Sequence, residues 1–474
     1  MPWPASTLRW LLAVRKVRPA PDIVGIDEGF SNYLRQYWKA QELTTDEAII
    51  AWNDGSLPDY NKVTWNSSNE FVRAMYDRIF YQISLCNEFI RQTSDAKIDE
   101  RGYSEAERSN VRTYRAEARF LRALSYWHAI DMYGDVPFFT ETANVGSTPP
   151  PQGKRADIYA YVVKELQEID GDLIAPKTEY ARADKATAWT LLSKVYLNAS
   201  VYTGTARNTE AATYAKKVLD ANVYKLAPTY KNLFLADNDK GATRDEVIFP
   251  ITFDGLRTKT FGGMTFLIHA SVGGEMKPSN FGINGGWYGL RTKKNLVDLF
   301  SATDPRAMFF TEGQNKEIND IFSFTDGYAV SKYRNVTTAG VAGSDATGDF
   351  PDTDFPMFRL ADVYLMYAEA VLRGGAGGSL TPLQAVNTVR ARAGVPALAT
   401  LSLDDVLAER GRELYWEGHR RTDLIRFGKY VAGYNWPFKG GVKNGQDVNT
   451  KYRLFPIPVT DLTANPNLKQ NPGY

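Results

Sequence analysis

The sequence predicts an all-α scaffold of stacked helical pairs, opened by one long loop-rich, partly β insertion. Three observations carry this reading. Apolar residues recur at helical spacing over long stretches near both ends of the 474-residue chain. Those stretches come as pairs separated by short breaks. Between about residues 224 and 355 the helical period fades, and glycines, aromatic residues and turn formers replace it.

Taken in order, residues Glu70 to Arg91 and Arg108 to Tyr133 are the first two helical patterns, and Ile158 to Leu173 is the third. The second contains RAEARFLRALSYWHAIDMYGDVPFF, where Ala116, Phe120, Ala123, Trp127 and Ile130 form one apolar seam. Ala118, Leu121, Ser125, His128 and Met132 form another beside it. A helix apolar on two sides lies between other helices, and Gly134 with Pro137 ends it. ADKATAWTLLSKVYLNASVY with TEAATYAKKVLDAN makes a helix pair whose size and small-large alternation resemble a tetratricopeptide unit. FPMFRLADVYLMYAEAVLR and TPLQAVNTVRARAG make a second, with Thr381 as cap and Pro382 at the first helical position. Two such pairs far apart in the chain predict one tetratricopeptide-like solenoid carrying an insertion. Within the insertion, Glu246 to Phe253 reads as a strand and LVDLFSATDPR as a short helix. The expected divisions are an atypical or truncated segment 1–41, a scaffold 42–223 with a binding loop at 53–68, the variable insertion 224–355, and closing helical pairs 356–474, all in one integrated domain.

Composition narrows the function. Fifty-six basic and fifty-five acidic residues leave a formal charge of +1, which argues against the broad basic surface of a nucleic-acid binder. Cys86, alone in the chain, cannot form an internal disulfide and reads as a small core residue. Only His128, His269 and His419 are present, at no metal-ligand spacing, so neither a metal nor another cofactor is expected. Phosphate-cradling glycine loops and nucleophile elbows are absent from the sequence. No stretch has the ~20 consecutive apolar residues of a membrane span.

Two constellations deserve weighing. Glu409, Glu413 and Glu417 recur every fourth residue, as on one helical face, with Arg412, Arg420 and Arg421 three or four residues away. Ion pairing lowers a carboxyl pKa, which suits a structural network and not a proton donor, and Ser402 with Asp405 caps the same helix. No catalytic residue is therefore assigned. The second is TTDEAIIAWNDGSLPDYNKVTW, which gathers Asp46, Glu47, Trp52, Asp54 and Trp65. Sugar rings lay apolar C–H faces on flat aromatic side chains while their hydroxyls need polar partners at the rim. Trp287, Tyr288 and Arg334 in the insertion offer the same chemistry. These eight residues are the candidate glycan contacts. For any one ring, pinning a loop to the scaffold is an equal use.

The opening helix with its Tyr-Gly-Asp-Val-Pro exit, MFRLADVYLMYAEA, AVNTVRARAG, ERGRELYWEGHRRTDLIRFGK and the ending YRLFPIPVTDLTANPNLKQNPGY are similar, in this order, to blocks of the SusD/RagB-like family. The resemblance covers about Glu42 to Tyr474. It implies a non-enzymatic glycan-binding lipoprotein on the outer face of the outer membrane, acting as a lid on a SusC-like TonB-dependent transporter. By position it marks Thr45 to Glu47 with Trp52, and Lys332 to Asn335, as ligand contacts. The start of the chain departs from the family pattern of a signal peptide and a lipid-bearing cysteine. Two other classes compete. A helical glycoside hydrolase needs carboxylates across a cleft, whereas Glu413 and Glu417 are expected side by side. A peptide-binding helical solenoid uses the pairs alone.

Overall fold

The computed structural model describes residues 29–143, 146 and 148–474. Of the segment 1–41, expected to be atypical or truncated, residues 1–28 lie outside the described residues; within the rest, a helix, α1 (Tyr33–Trp38), runs directly into a π-helical turn, Lys39–Leu43. Both are buried, so the folded part begins before residue 42.

Helices dominate. They include α2 (Glu70–Gln92), α3 (Glu105–Tyr133), α4 (Arg155–Glu168), α5 (Lys185–Leu197) and α6 (Asn208–Ala221). After the insertion come α8 (Leu360–Leu372), α9 (Pro382–Arg392), α10 (Leu403–Leu414) and α11 (Arg420–Arg426), with α7 (Gly263–Ala270) inside it. Each helix packs on the next in the series α2, α3, α4, α5, α6, α8, α9, and α8 also meets α10. The insertion is thus bridged by direct packing of α6 on α8.

Local chemistry explains the ends. Ser104 and Glu107 form a capping box for α3, as do Thr381 with Gln384 for α9 and Ser402 with Asp405 for α10. Gly134, at φ 76°, turns the chain out of α3. Both expected seams of α3 are buried, from Ala116 through Tyr133 with Arg119 alone partly open. A short buried chain of hydrogen bonds ties it to its neighbours: Trp127 Nε1 donates to Tyr202 Oη at 3.0 Å, and Tyr202 donates to Asp131 at 2.9 Å. Cys86 is fully buried on α2.

The strands are short and paired across long sequence distances. β1 (Ala48–Ile50) pairs antiparallel with β3 (Leu290–Thr292), and β2 (Val247–Ile251) with β4 (Phe355–Arg359). The second pair corrects the sequence reading, which placed Phe355–Arg359 at the start of a helix. Its five residues are buried on both faces beside β2, so α8 begins only at Leu360. The helix expected at LVDLFSATDPR, residues 296–306, is not formed: a short helix at Lys294–Val297 takes in only its first two residues, and the rest is turn and loop. In contrast, α7 was hidden because GMTFLIHA is buried all round and shows no amphipathic period.

Candidate functional site

Pairing of β1 with β3 joins the two ring-bearing loops. The register runs Ala48 to Thr292, Ile49 to Arg291 and Ile50 to Leu290, and Ala51 N–H extends it by donating to Gly289 O at 2.8 Å. One residue further, Trp52 meets the loop carrying Trp287 and Tyr288. Its Nε1 donates to Trp287 O at 3.0 Å, and the two indoles lie 6.3 Å apart, tilted by 41°. The loop is strapped to the end of α7: Trp287 N–H donates to His269 O, Tyr288 N–H to Val272 O and Gly289 N–H to Ala270 O. The rings therefore stand on a fixed backbone.

Three features set their orientation. The Trp287 ring stacks on His269 at 4.8 Å and 27°. Gly289 leaves room for the neighbouring indole, since an added Cβ would stand 2.8 Å from the Trp52 ring. Tyr288 has φ 53°, a left-handed conformation costing a non-glycine residue roughly 1–2 kcal/mol, and its ring remains 54% exposed. Strain of this kind persists only where the surroundings impose it. Phe324 packs edge-on against Tyr288 at 5.5 Å. Phe261, 42% exposed, extends the patch 6.4 Å from Trp287, and the Arg35 guanidinium lies 5.9 Å from the Trp52 ring centre.

His269 is the polar anchor beneath the face. Its Nδ1 lies 2.7 Å from Gly285 O and its Nε2 3.0 Å from Asp349 O. Burial pushes its pKa below the ordinary imidazole range, against the pull of those two carbonyls.

The eight candidate contacts thus divide. Trp52 and Trp287 are half-buried, Tyr288 is exposed, and Asp54 is exposed two residues from Trp52. Asp46 is interior instead: it accepts from Nε and Nη2 of Arg420, each at 2.7 Å, and from the Tyr434 hydroxyl at 2.7 Å. Burial alone would raise its pKa, but the Arg420 charge and these hydrogen bonds hold it below the usual carboxylate range. Glu47 is also buried, hydrogen-bonded to Glu42, and burial pushes its pKa up to about 7. Trp65 is 1% exposed and donates to the Tyr474 hydroxyl at 2.8 Å. These three are not free to meet a ligand in this conformation. Arg334 lies 4.9 Å over the Phe281 ring and donates through Nε to Ser331 O. Its neighbours Lys332, Tyr333 and Asn335, marked by the resemblance, are buried.

Sequence reasoning missed Phe261, Phe324, His269 and Arg35 as parts of this patch. Nothing local singles them out, because they come from separate places: Phe261 from the turn before α7, His269 from α7, Phe324 from a distant turn of the insertion and Arg35 from α1.

The glutamate row forms a buried ion cluster. Arg359 donates to Glu417 at 2.6 Å, to Glu246 at 2.8 Å, to Glu413 at 2.6 Å and to Glu413 O at 2.5 Å. Arg306 bridges Glu409 at 2.7 Å and Glu413 at 3.0 Å, Arg392 pairs with Glu413, and Lys332 meets Glu417 at 2.7 Å. Burial raises the carboxyl pKa values and these cations outweigh it; the Glu413 carboxyl ends at about 2. Two expectations are corrected. α10 stops at Leu414, so Glu417 is off the helical face. Only Arg412 among the three expected arginines pairs with the row, while Arg420 takes Asp46 and Arg421 meets Asp131 at 3.3 Å.

The described residues thus join a helix-rich fold, a surface-facing aromatic patch and an interior glutamate row held by arginines and a lysine. Residues 305–474 match the SusD family. Starch-binding protein SusD of Bacteroides thetaiotaomicron is 35% identical to this chain, over 96% of it and 88% of that protein. The chain belongs to the SusD family. Solved structures agree on the fold. Surface glycan-binding protein A from Bacteroides fluxus superposes with a TM-score of 0.76 at 21% identity, over 94% of this chain and 96% of that one. Surface glycan-binding protein A from Bacteroides thetaiotaomicron in complex with laminarihexaose gives 0.72 at 19%, over 93% and 94%. Among the described residues no helix is long and apolar enough to cross a membrane.

Proposed function

We propose that this protein captures glycan without cleaving it, on the face made by Trp52, Trp287 and Tyr288 with Asp54 at the rim. The observation that carries the proposal is the β1–β3 pairing, which fixes three partly exposed rings from distant loops on one supported backbone. Preorganised rings offer apolar area to sugar C–H faces at little entropic cost. The names of the relatives direct attention to starch and laminarin oligosaccharides as first ligands.

The wider role is delivery to a SusC-like TonB-dependent transporter at the outer face of the outer membrane, with the protein held there by an N-terminal lipid. Residues 42–223 and 356–474 serve as a tetratricopeptide-like solenoid, a reading supported by the α6–α8 packing that closes over the insertion at 224–355. Such a body presents the loops as one rigid unit.

The test is titration of maltooligosaccharides and laminarioligosaccharides into Trp52→Ala, Trp287→Ala and Tyr288→Ala. A stacked ring contributes ~0.5–1.5 kcal/mol, so affinity should fall roughly threefold to tenfold in each, with melting temperature retained. Undiminished affinity in all three removes the proposal.

A further inference from the structure

On another part of the molecule, the closing segment forms an open cavity of about 670 Å³ with α4, the short helix Ala199–Thr203 and the end of α11. Its lining includes Arg155, Lys451 and Arg453, and no aspartate or glutamate. Three cations without an acid are out of proportion in a chain of net charge +1. The two carboxylates that influence Arg155, Asp131 and Asp135, lie outside the lining and are already occupied. Asp131 is held by Tyr202 at 2.9 Å and Arg421 at 3.3 Å, and Asp135 by Lys154 at 2.8 Å.

The cations have different freedoms. Arg155 is locked, donating to Ile130 O at 2.7 Å, Val201 O at 3.2 Å and Asp131 O at 3.4 Å. It supplies a fixed positive wall. Lys451 leans on the Tyr452 and Tyr474 rings and donates to Gly473 O at 3.2 Å. Arg453 is exposed, and its guanidinium makes no hydrogen bond or ion pair among the described residues. It is the donor left over for an incoming group. Asn449, Asn471 and Ser200 add polar atoms, whereas no aromatic ring lines the cavity. A neutral sugar would find nothing to stack on; an anion would find charge and hydrogen-bond donors in a volume of ligand size.

We infer that this cavity is a second binding site, separate from the aromatic face, for a small anionic saccharide whose carboxylate or ester anion is taken by Arg453 and Lys451 against the Arg155 wall; the anion follows from the lining and the saccharide class rests on the proposed function. No lining residue is shared with the aromatic face.

The probes are trigalacturonate, maltotriose and sodium sulfate, titrated calorimetrically into the intact chain and into Arg453→Glu. Trigalacturonate should bind the intact chain, and weaken steadily as salt rises from about 50 to about 500 mM. Arg453→Glu should lose about tenfold or more at low salt with an unchanged melting temperature, because the side chain is exposed and unpaired. Trp287→Ala should leave this binding as it is. Equal affinity for maltotriose, indifference to Arg453→Glu, or no trigalacturonate binding would each overturn the site. Sulfate competing as strongly as trigalacturonate would reduce it to a bare anion site and overturn the saccharide assignment.

Discussion

The ion cluster around Arg359 and the aromatic face around Trp287 draw on the same kinds of side chain, rings and charges, and treat them oppositely. In the cluster every Arg359 nitrogen is matched to a carboxylate or carbonyl oxygen, and the arginine is 1% exposed. At the face the Trp52 Nε1 is matched too, yet the rings still meet water. The proposed binding surface is told less by its residue types than by apolar area left open over a supported backbone. The difference also separates the two acid-rich stretches near the start: Asp46 is consumed by Arg420, whereas Asp54, eight positions on, remains at the rim.

The largest effect expected from breaking this contrast lies in the cluster. Arg359→Ala leaves Glu246, Glu413 and Glu417 buried with one cation fewer, and removing one partner of a buried pair costs about 3–5 kcal/mol. Chemical denaturation should show this loss. Arg359→Lys keeps the charge but brings three donors to a five-bond site, and should fall between the two. Wild-type stability in Arg359→Ala would mean that the cluster is not part of what holds α10 to β4.

At the face, the contrast sharpens with a single methyl group. Gly289→Ala places a Cβ against the Trp52 indole and must move it, whereas a Cβ on Gly285 meets nothing within 4 Å. Glycan affinity should fall roughly threefold to tenfold in Gly289→Ala, as for loss of the ring, and stay level in Gly285→Ala. Equal affinity in both would show that the Trp52 orientation is irrelevant to binding.

Much of the scaffold was legible because a helix writes its packing locally. The seams of α3, the caps of α9 and α10 and the burial of Cys86 all follow from residues within a few turns of one another. The site was legible only as a list of residue types. Trp52 and Trp287 meet through strands of three residues, too short for a period of two to be seen, and 235 positions separate them. The fates of Asp46 and Trp65 depend on Arg420 and Tyr474, each more than 370 positions away. Glu417 left its expected face because Tyr415 turns extended at ψ 141° and Trp416 follows in a left-handed conformation, which no spacing rule announces.

The smallest effect concerns the boundary between the two regions, where Glu47 precedes β1. Its carboxyl accepts from Trp416 N–H at 3.1 Å and is hydrogen-bonded to Glu42, while its carbonyl accepts from the Thr292 hydroxyl at 2.7 Å. Burial raises its pKa from an ordinary 4.5 to about 7. The folded chain therefore binds this proton more tightly than the unfolded chain does. Its contribution to stability is fully present below about pH 4.5 and is lost as pH rises through about 7. Nearby Lys293, buried against Thr45 O and lowered by burial to about 7, works in the opposite sense, favouring the fold as pH rises from about 7 towards 10.5. The pH curve of the whole protein mixes these with other buried groups, among them Glu42, raised well above the ordinary range by burial, and Glu117, raised by burial to about 7, so the informative quantity is the difference between wild type and Glu47→Gln. Glutamine keeps the shape and an amide oxygen to accept from the Glu42 carboxyl but does not titrate. Its melting temperature relative to wild type should rise by about 2 °C or more between pH 5 and pH 8. A constant difference, or one of the opposite sign, would show that Glu47 is already ionised in the fold and that the charge of Arg420, 3.6 Å away, governs it as it governs Asp46.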